Sequence, residues 1–132
     1  MTEVTNGVRL GLVKGEQYLR TRAQFGLVYD EGSSWINRVV VMKALPNGLD
    51  LSRYGFSVSR RVGKAVVRNR VKRLLREILR QIPLKSGWDI VFIARSPAAR
   101  VDYASLGKSV RDLLIRSGLL MGEYEEVCPG AN

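Results

Sequence analysis

Histidine is absent from the 132 residues, and cysteine occurs once, as Cys128. Without histidine there is no Ser-His triad, no imidazole base and no histidine ligand for zinc. A single cysteine allows neither an internal disulfide nor a multi-cysteine metal site, and it fits a reducing, cytoplasmic compartment. Acids are also scarce, twelve against twenty-two Lys and Arg. Asp30, Glu31, Asp50, Glu77, Asp89, Asp102 and Asp112 show no spacing that would gather a carboxylate cluster around a metal. That argues against a nuclease working alone. Long apolar runs are missing too. Val39 to Met42 is strand-sized, far below the ~20 residues of a membrane span. Met1 to Gly11 lacks a basic segment followed by an apolar one, so no signal peptide is expected. The chain reads as a soluble protein of the cytoplasm.

What is abundant is positive charge. The net charge is +10 and the isoelectric point about 10.4. Such a field attracts polyanions over about one Debye length, roughly 8–10 Å in ordinary salt. Nucleic acid is the first candidate and an anionic membrane surface the second. The hydrophobic fraction, 45%, is that of a globular protein. A chain this long can bury one core without staples.

The pattern along the chain predicts one domain over residues 18–120, between a loose arm (1–17) and a frayed acidic tail (121–132). Thr21 to Gln24 matches a capping box, Phe25, Val28 and Tyr29 follow at helical spacing, and Gly32 supplies a stop. Trp35 to Leu45 reads as one strand, ended by Pro46-Asn47-Gly48. Tyr54 to Ser59 reads as a second strand, in which Gly55 signals a close backbone approach or a bulge. Gly63 to Ile82 carries the strongest helical period and Pro83 ends it. Asp89 to Ala94 is a dense apolar run of strand length, broken by Ser96-Pro97. Asp102 can cap a last helix with Leu106, Val110, Leu113 and Leu114 on its apolar face and Gly118 at its end. Trp35 and Trp88 are assigned to packing or strand edges. The expected class is α+β, a single-domain α/β sandwich with helices packed on a sheet.

Between Arg60 and Arg80 lie nine basic residues and one acid, Glu77. Val67, Val71, Leu74, Leu75, Ile78, Leu79 and Ile82 form one stripe about 140° wide on a helical wheel. Asn69, Lys72, Arg73, Arg76 and Arg80 fall opposite, with Arg68 and Arg70 on the flanks. Ordinary solvated faces mix signs, because like charges at i,i+4 repel. Arg68, Lys72, Arg76 and Arg80 form such a series with one sign, and a polyanion would relieve it. Arginine outnumbers lysine seven to two here, which suits bidentate phosphate contacts. The apolar stripe is committed to a core, which disfavours a membrane role.

Arg68-Asn69-Arg70 lies in the segment GFSVSRRVGKAVVRNRVKRLLREILR. This segment resembles the RNR signature of the protein subunit of bacterial ribonuclease P. The resemblance spans roughly residues 19–120. It includes the short helix with spaced aromatics and the strand Ile90 to Arg95 followed by Pro97.

The resemblance implies an α/β sandwich with a left-handed βαβ crossover, a hand that pattern alone would not give. It implies a catalytic RNA as partner, and a holoenzyme that removes the 5′ leader of precursor tRNA. The active site would lie in the RNA and use magnesium ions, Mg2+, bound mainly by the RNA and the substrate. Ribozyme contact would fall to Arg68, Asn69, Arg70, Lys72, Arg73 and Arg76, with Arg60, Arg61 and Lys64 sharing it. The single-stranded leader would meet Phe25 and Tyr29, whose rings can stack on unpaired bases. Lys43 stands where the family often has an aromatic and would contact leader phosphate instead. No protein partner and no membrane are implied. The competing reading is a structural RNA-binding protein of ribosomal type, which a shared fold alone would not separate.

Overall fold

The structure, a computed structural model, describes residues 18–120. The expected arm, the expected tail and Cys128 lie outside the described residues. The elements are α1 (Arg22–Glu31), β1 (Ser33–Ile36), β2 (Val40–Pro46), β3 (Arg53–Ser57), α2 (Ala65–Arg80), β4 (Trp88–Ala94), a 3-10 helix (Ser96–Arg100) and α3 (Tyr103–Ser117). The strands form one mixed sheet in the order β1-β2-β4-β3. β4 pairs antiparallel with β2 and parallel with β3, and α2 is the connection between the parallel pair. Among the described residues no helix is long and apolar enough to cross a membrane.

Each sheet face follows from the two-residue period of its strands. One face presents Val40, Met42 and Ala44 of β2, Tyr54 of β3 and Ile90, Phe92 and Ala94 of β4. Val71, Leu75, Ile78 and Leu79 of α2 and Leu106, Val110, Leu113 and Leu114 of α3 close this core. The α2 stripe is therefore buried, as its period predicts. The opposite face carries a smaller cluster of Leu19, Val28 and Val91, flanked by Phe25, Leu45 and Ile93. β4 is covered on both faces, which explains why it reads as a continuous apolar run.

The α1 capping box forms: Gln24 N–H donates to Thr21 Oγ1 at 3.1 Å and Thr21 N–H donates to Gln24 Oε1 at 3.0 Å. Gly32 ends the helix in extended backbone, φ −78°. It is needed for space rather than for its dihedral, since a Cβ there would stand 2.6 Å from the Val28 carbonyl oxygen and 2.9 Å from that of Ala44.

One expected strand is two. Trp35 to Leu45 breaks at Asn37, whose N–H donates to the Val40 carbonyl and whose Oδ1 accepts from the N–H groups of Val39 and Val40. An asparagine that bonds its own following backbone makes a turn. The β-branched residues on either side hide it in a composition reading. Asn37 Nδ2 also donates to the Ser109 carbonyl of α3, which fixes the hairpin to the helix layer. The strand β4 ends at Ala94, where Ser96-Pro97 breaks it as expected and opens a 3-10 turn.

Asp102 caps α3 through the Ser105 N–H, 2.8 Å away. That bond, the Ser105 hydroxyl and the nearby charge of Arg70 hold its carboxyl below its ordinary value. A lowered carboxyl stabilises the fold above the unfolded value, about 4, and the contribution fades as pH falls through the folded one. Asp102→Ala should therefore melt below the parent at neutral pH, with the gap narrowing in acid. Melting curves across this range measure it.

Candidate nucleic-acid interface

The face of α2 turned away from the sheet is cationic from end to end. Asn69, Arg73, Arg76 and Arg80 are exposed, and Arg68, Arg70 and Lys72 are half-buried on its margins. Lys72 is thus less open than the wheel suggests. Two of the three signature residues are tied to backbone. Arg68 Nε–H donates to the Gly63 carbonyl at 3.1 Å. An Nη of Arg70 donates to the Val101 carbonyl at 3.2 Å, which joins α2 to the approach to α3. Each guanidinium has five N–H donors, so one such bond orients the group and leaves its fork available to phosphate. The Arg76 guanidinium lies 6.0 Å from the centre of the half-buried Phe56 ring. Arg80 meets the lone acid of the helix, Glu77, at 3.4 Å, so its charge is partly answered.

On the other face of the sheet, α1 crosses three strands. A Cβ on Gly55 of β3 would run into the Phe25 ring, Val28 packs with Val91 of β4, and Gly32 abuts Ala44 of β2. The sequence signal at Gly55 is a close approach, and the approaching group is Phe25. Phe25 and Tyr29 lie together with ring centres 6.5 Å apart and planes inclined by 40°. Phe25 is half-buried and Tyr29 is 38% exposed, so both rings are partly open. Lys43 shares this sheet face. It pairs with Val91, which pairs in turn with Gly55, so Lys43 stands two strands from the Phe25 floor, about 10 Å at ordinary strand spacing. Lys43 and the two rings thus belong to one face but not to one contact. The next row of that face is Ile36, Val41, Ile93 and Ser57. Val41, Ile93 and Ser57 are half-buried and Ile36 is 54% exposed, so this row is an apolar floor beside α1.

A cavity of about 350 Å³ opens at the carboxyl ends of β3 and β4. Ser59, Arg61, Ile93, Arg95 and Ser96 are among its lining residues. Arg60 and Arg61 sit in the loop between β3 and α2, at the end of the sheet where its two faces meet. Arg95 is a cation that pattern did not single out. Its signal was a charge directly after the apolar β4 run, but its place beside Arg61 is a tertiary fact.

The parallel βαβ unit, the cationic face of α2 and the paired aromatic rings on the opposite face define a basic α/β sandwich. A family model described as ribonuclease P matches residues 13–118. A ribonuclease P protein component of Dehalococcoides mccartyi is 46% identical over 120 residues, covering 91% of this chain and all of that protein. One from Caldanaerobacter subterraneus subsp. tengcongensis is 44% identical, covering 82% of this chain and 91% of its own. The structure is similar to that of the Staphylococcus aureus ribonuclease P protein, with a TM-score of 0.72 and 31% identity over 80% of this chain and 98% of that one. It is also similar to the Thermotoga maritima protein, with a TM-score of 0.68 and 40% identity over 75% and 96% of the two chains. The chain belongs to the ribonuclease P protein family.

Proposed function

We propose that this protein works as the protein subunit of ribonuclease P by holding two RNAs on opposite sides of one sheet. The outer face of α2 binds the catalytic RNA through Asn69, Arg73 and Arg76, with Arg68, Arg70 and Lys72 beside them. Lys64, Arg60 and Arg61 extend that contact toward the end of the sheet. The groove between α1 and the sheet binds the 5′ leader of precursor tRNA. Phe25 and Tyr29 stack on unpaired bases there, which tolerates any sequence, and Lys43 meets a phosphate. Cleavage chemistry belongs to the RNA, with magnesium ions supplying the metal. Among the described residues no three His, Cys, Asp or Glu side chains cluster to hold a metal. With a whole sheet between the leader groove and the ribozyme face, one small domain can hold substrate and ribozyme together.

The observation that carries this reading is the separation itself: a predominantly cationic helix face over one side, and partly open rings on a glycine floor over the other. A structural RNA-binding protein of ribosomal type would need the first surface only. Phe25→Ala in the reconstituted holoenzyme should weaken precursor tRNA by about tenfold, from a stacking contribution of about 1–3 kcal/mol per base. Mature tRNA, which has no leader, should bind as before. Equal losses for both in a binding titration would remove the leader role.

A further inference from the structure

Arg76 is the arginine of α2 that stands on an aromatic ring. Its guanidinium carbon lies over Phe56, 6.0 Å from the ring centre. β3 is an edge strand of the sheet, and its two-residue period turns Tyr54 and Phe56 toward the helix layer. Phe56 stacks in turn on Phe92 of β4, with ring centres 6.3 Å apart and planes inclined by 29°. Tyr54 and Tyr18 pack against it with ring centres at 6.1 Å and 6.3 Å. Tyr18 is itself pinned to the strand edge, by a bridge to Tyr54 and by the Leu19 N–H, which donates to the Tyr54 carbonyl at 3.0 Å. Phe92 is fully buried, Phe56 and Tyr18 are half-buried and Arg76 is exposed. The layers rise from core to solvent in the order Phe92, Phe56, Arg76.

The other arginines of α2 are engaged differently. Arg68 and Arg70 bond backbone carbonyls, and Arg80 meets Glu77. Among the described residues no acid pairs with Arg76. A guanidinium is planar, with two faces and an edge of N–H donors. Phe56 takes one face, and the exposure of the side chain leaves the other open. An open guanidinium face is a platform on which an unpaired RNA base stacks. The ring already orients the group, so less side-chain freedom is lost when a base arrives. Lys72 and Arg80 stand about 6 Å to either side along the helix axis. A base seated on Arg76 would bring its flanking phosphates to those cations.

We propose that Arg76, backed by Phe56 at the β3 edge, is a stacking site for one unpaired base of the catalytic RNA. This rests on the ribozyme contact of α2 proposed above and deepens it. Arg76 keeps its N–H edge for phosphate and adds its face. The site lets α2 tell a folded RNA with a splayed base from a plain duplex of the same charge.

Filter binding of the full chain to ribonuclease P RNA tests this. Arg76→Lys should weaken binding about tenfold, the worth of one stacked base, since an ammonium has charge but no plane. The slope of log affinity against log salt should stay as in the parent, because the charge is kept. Binding to a plain RNA duplex, which offers no unpaired base, should not change. Phe56→Leu, which removes the backing ring, should weaken ribonuclease P RNA in the same way, and Phe56→Tyr should bind as the parent does. Adding Phe56→Leu to Arg76→Lys should cost no more than Arg76→Lys alone, since both act through one stack. Parent-like binding by Arg76→Lys, an equal loss on the duplex, or losses that multiply in the double variant would each overturn the proposal. A fall in the salt slope would overturn it too, by assigning the loss to a phosphate contact. Replacing Arg73 and Arg76 together by glutamate separates the two readings. If that variant binds like the parent, the α2 contact itself fails. If it is weakened while Arg76→Lys is not, the stack alone fails.

Discussion

Replacing Arg73 and Arg76 together by glutamate is expected to weaken binding of ribonuclease P RNA by about two to three orders of magnitude. Both side chains are exposed on the outer face of α2, away from the apolar stripe. A charge-assisted hydrogen bond contributes about 1.5–3 kcal/mol, and reversal of sign adds repulsion to its loss. The fold should survive, since within the protein Arg76 gives up only its approach to the Phe56 ring, worth about 0.5–1 kcal/mol. Salt gives an independent check. Each phosphate contact removed should lower the slope of log affinity against log salt by about 0.7–0.9. Filter binding at several salt concentrations measures both quantities, and an unchanged slope would deny phosphate contact at these positions. Arg68 and Arg70 are poorer probes although they name the signature. Each also holds a backbone carbonyl, so their replacement mixes RNA affinity with the seating of α2.

Asp89→Ala is expected to cost about 3 kcal/mol of stability, a large part of the 5–15 kcal/mol of an ordinary domain. Asp89 is the buried acid of the core, 5% exposed, at the start of the central strand β4. Arg53 of β3 meets it with two bonds, Nε–H to Oδ1 at 2.9 Å and an Nη to Oδ2 at 2.8 Å, and Asn47 Nδ2 donates to Oδ1 at 2.9 Å. The hydrogen bond to Asp89 raises the Arg53 guanidinium above its ordinary value. Removing one member of such a pair strands the other, which costs about 3–5 kcal/mol for fully buried groups. The Arg53 side chain keeps 23% of its exposure, which moves the expectation to the low end of that range. The clamp joins β3 to β4, the parallel pair that α2 connects, so its loss should loosen the seat of α2. Denaturant titration of the variant gives the stability, and a change below about 0.5 kcal/mol, the ordinary surface value, would contradict this account.

These consequences were unequally legible in the sequence. The apolar and cationic stripes of α2 follow from a period of 3.6 residues, and both appear in the fold where the wheel puts them, except that Lys72 is half-buried. The Thr21 capping box and the Asp102 cap are local bonds with local signatures. The Asn37 turn is local too, but Val39 to Val41 continue the strand composition across it, so its signal was outweighed. Gly55 announced a close approach without saying to what. That the neighbour is Phe25 depends on the course of α1 across three strands, which no local pattern encodes. The Arg61–Arg95 cavity is harder still, because it joins residues 34 positions apart through the parallel pairing of β3 with β4. The charge pattern thus marked the outer face of α2, whereas the placing of α1 and of the cavity needed the sheet register.

The central claim is that this protein assists a catalytic RNA in maturing tRNA. The most direct measurement adds the purified protein to a ribonuclease P RNA at low magnesium concentration and follows 5′ processing of precursor tRNA. The account predicts that processing, weak with RNA alone, rises when the protein is added and falls back with the Arg73, Arg76 double variant. Processing that stays at the level of the RNA alone would contradict it.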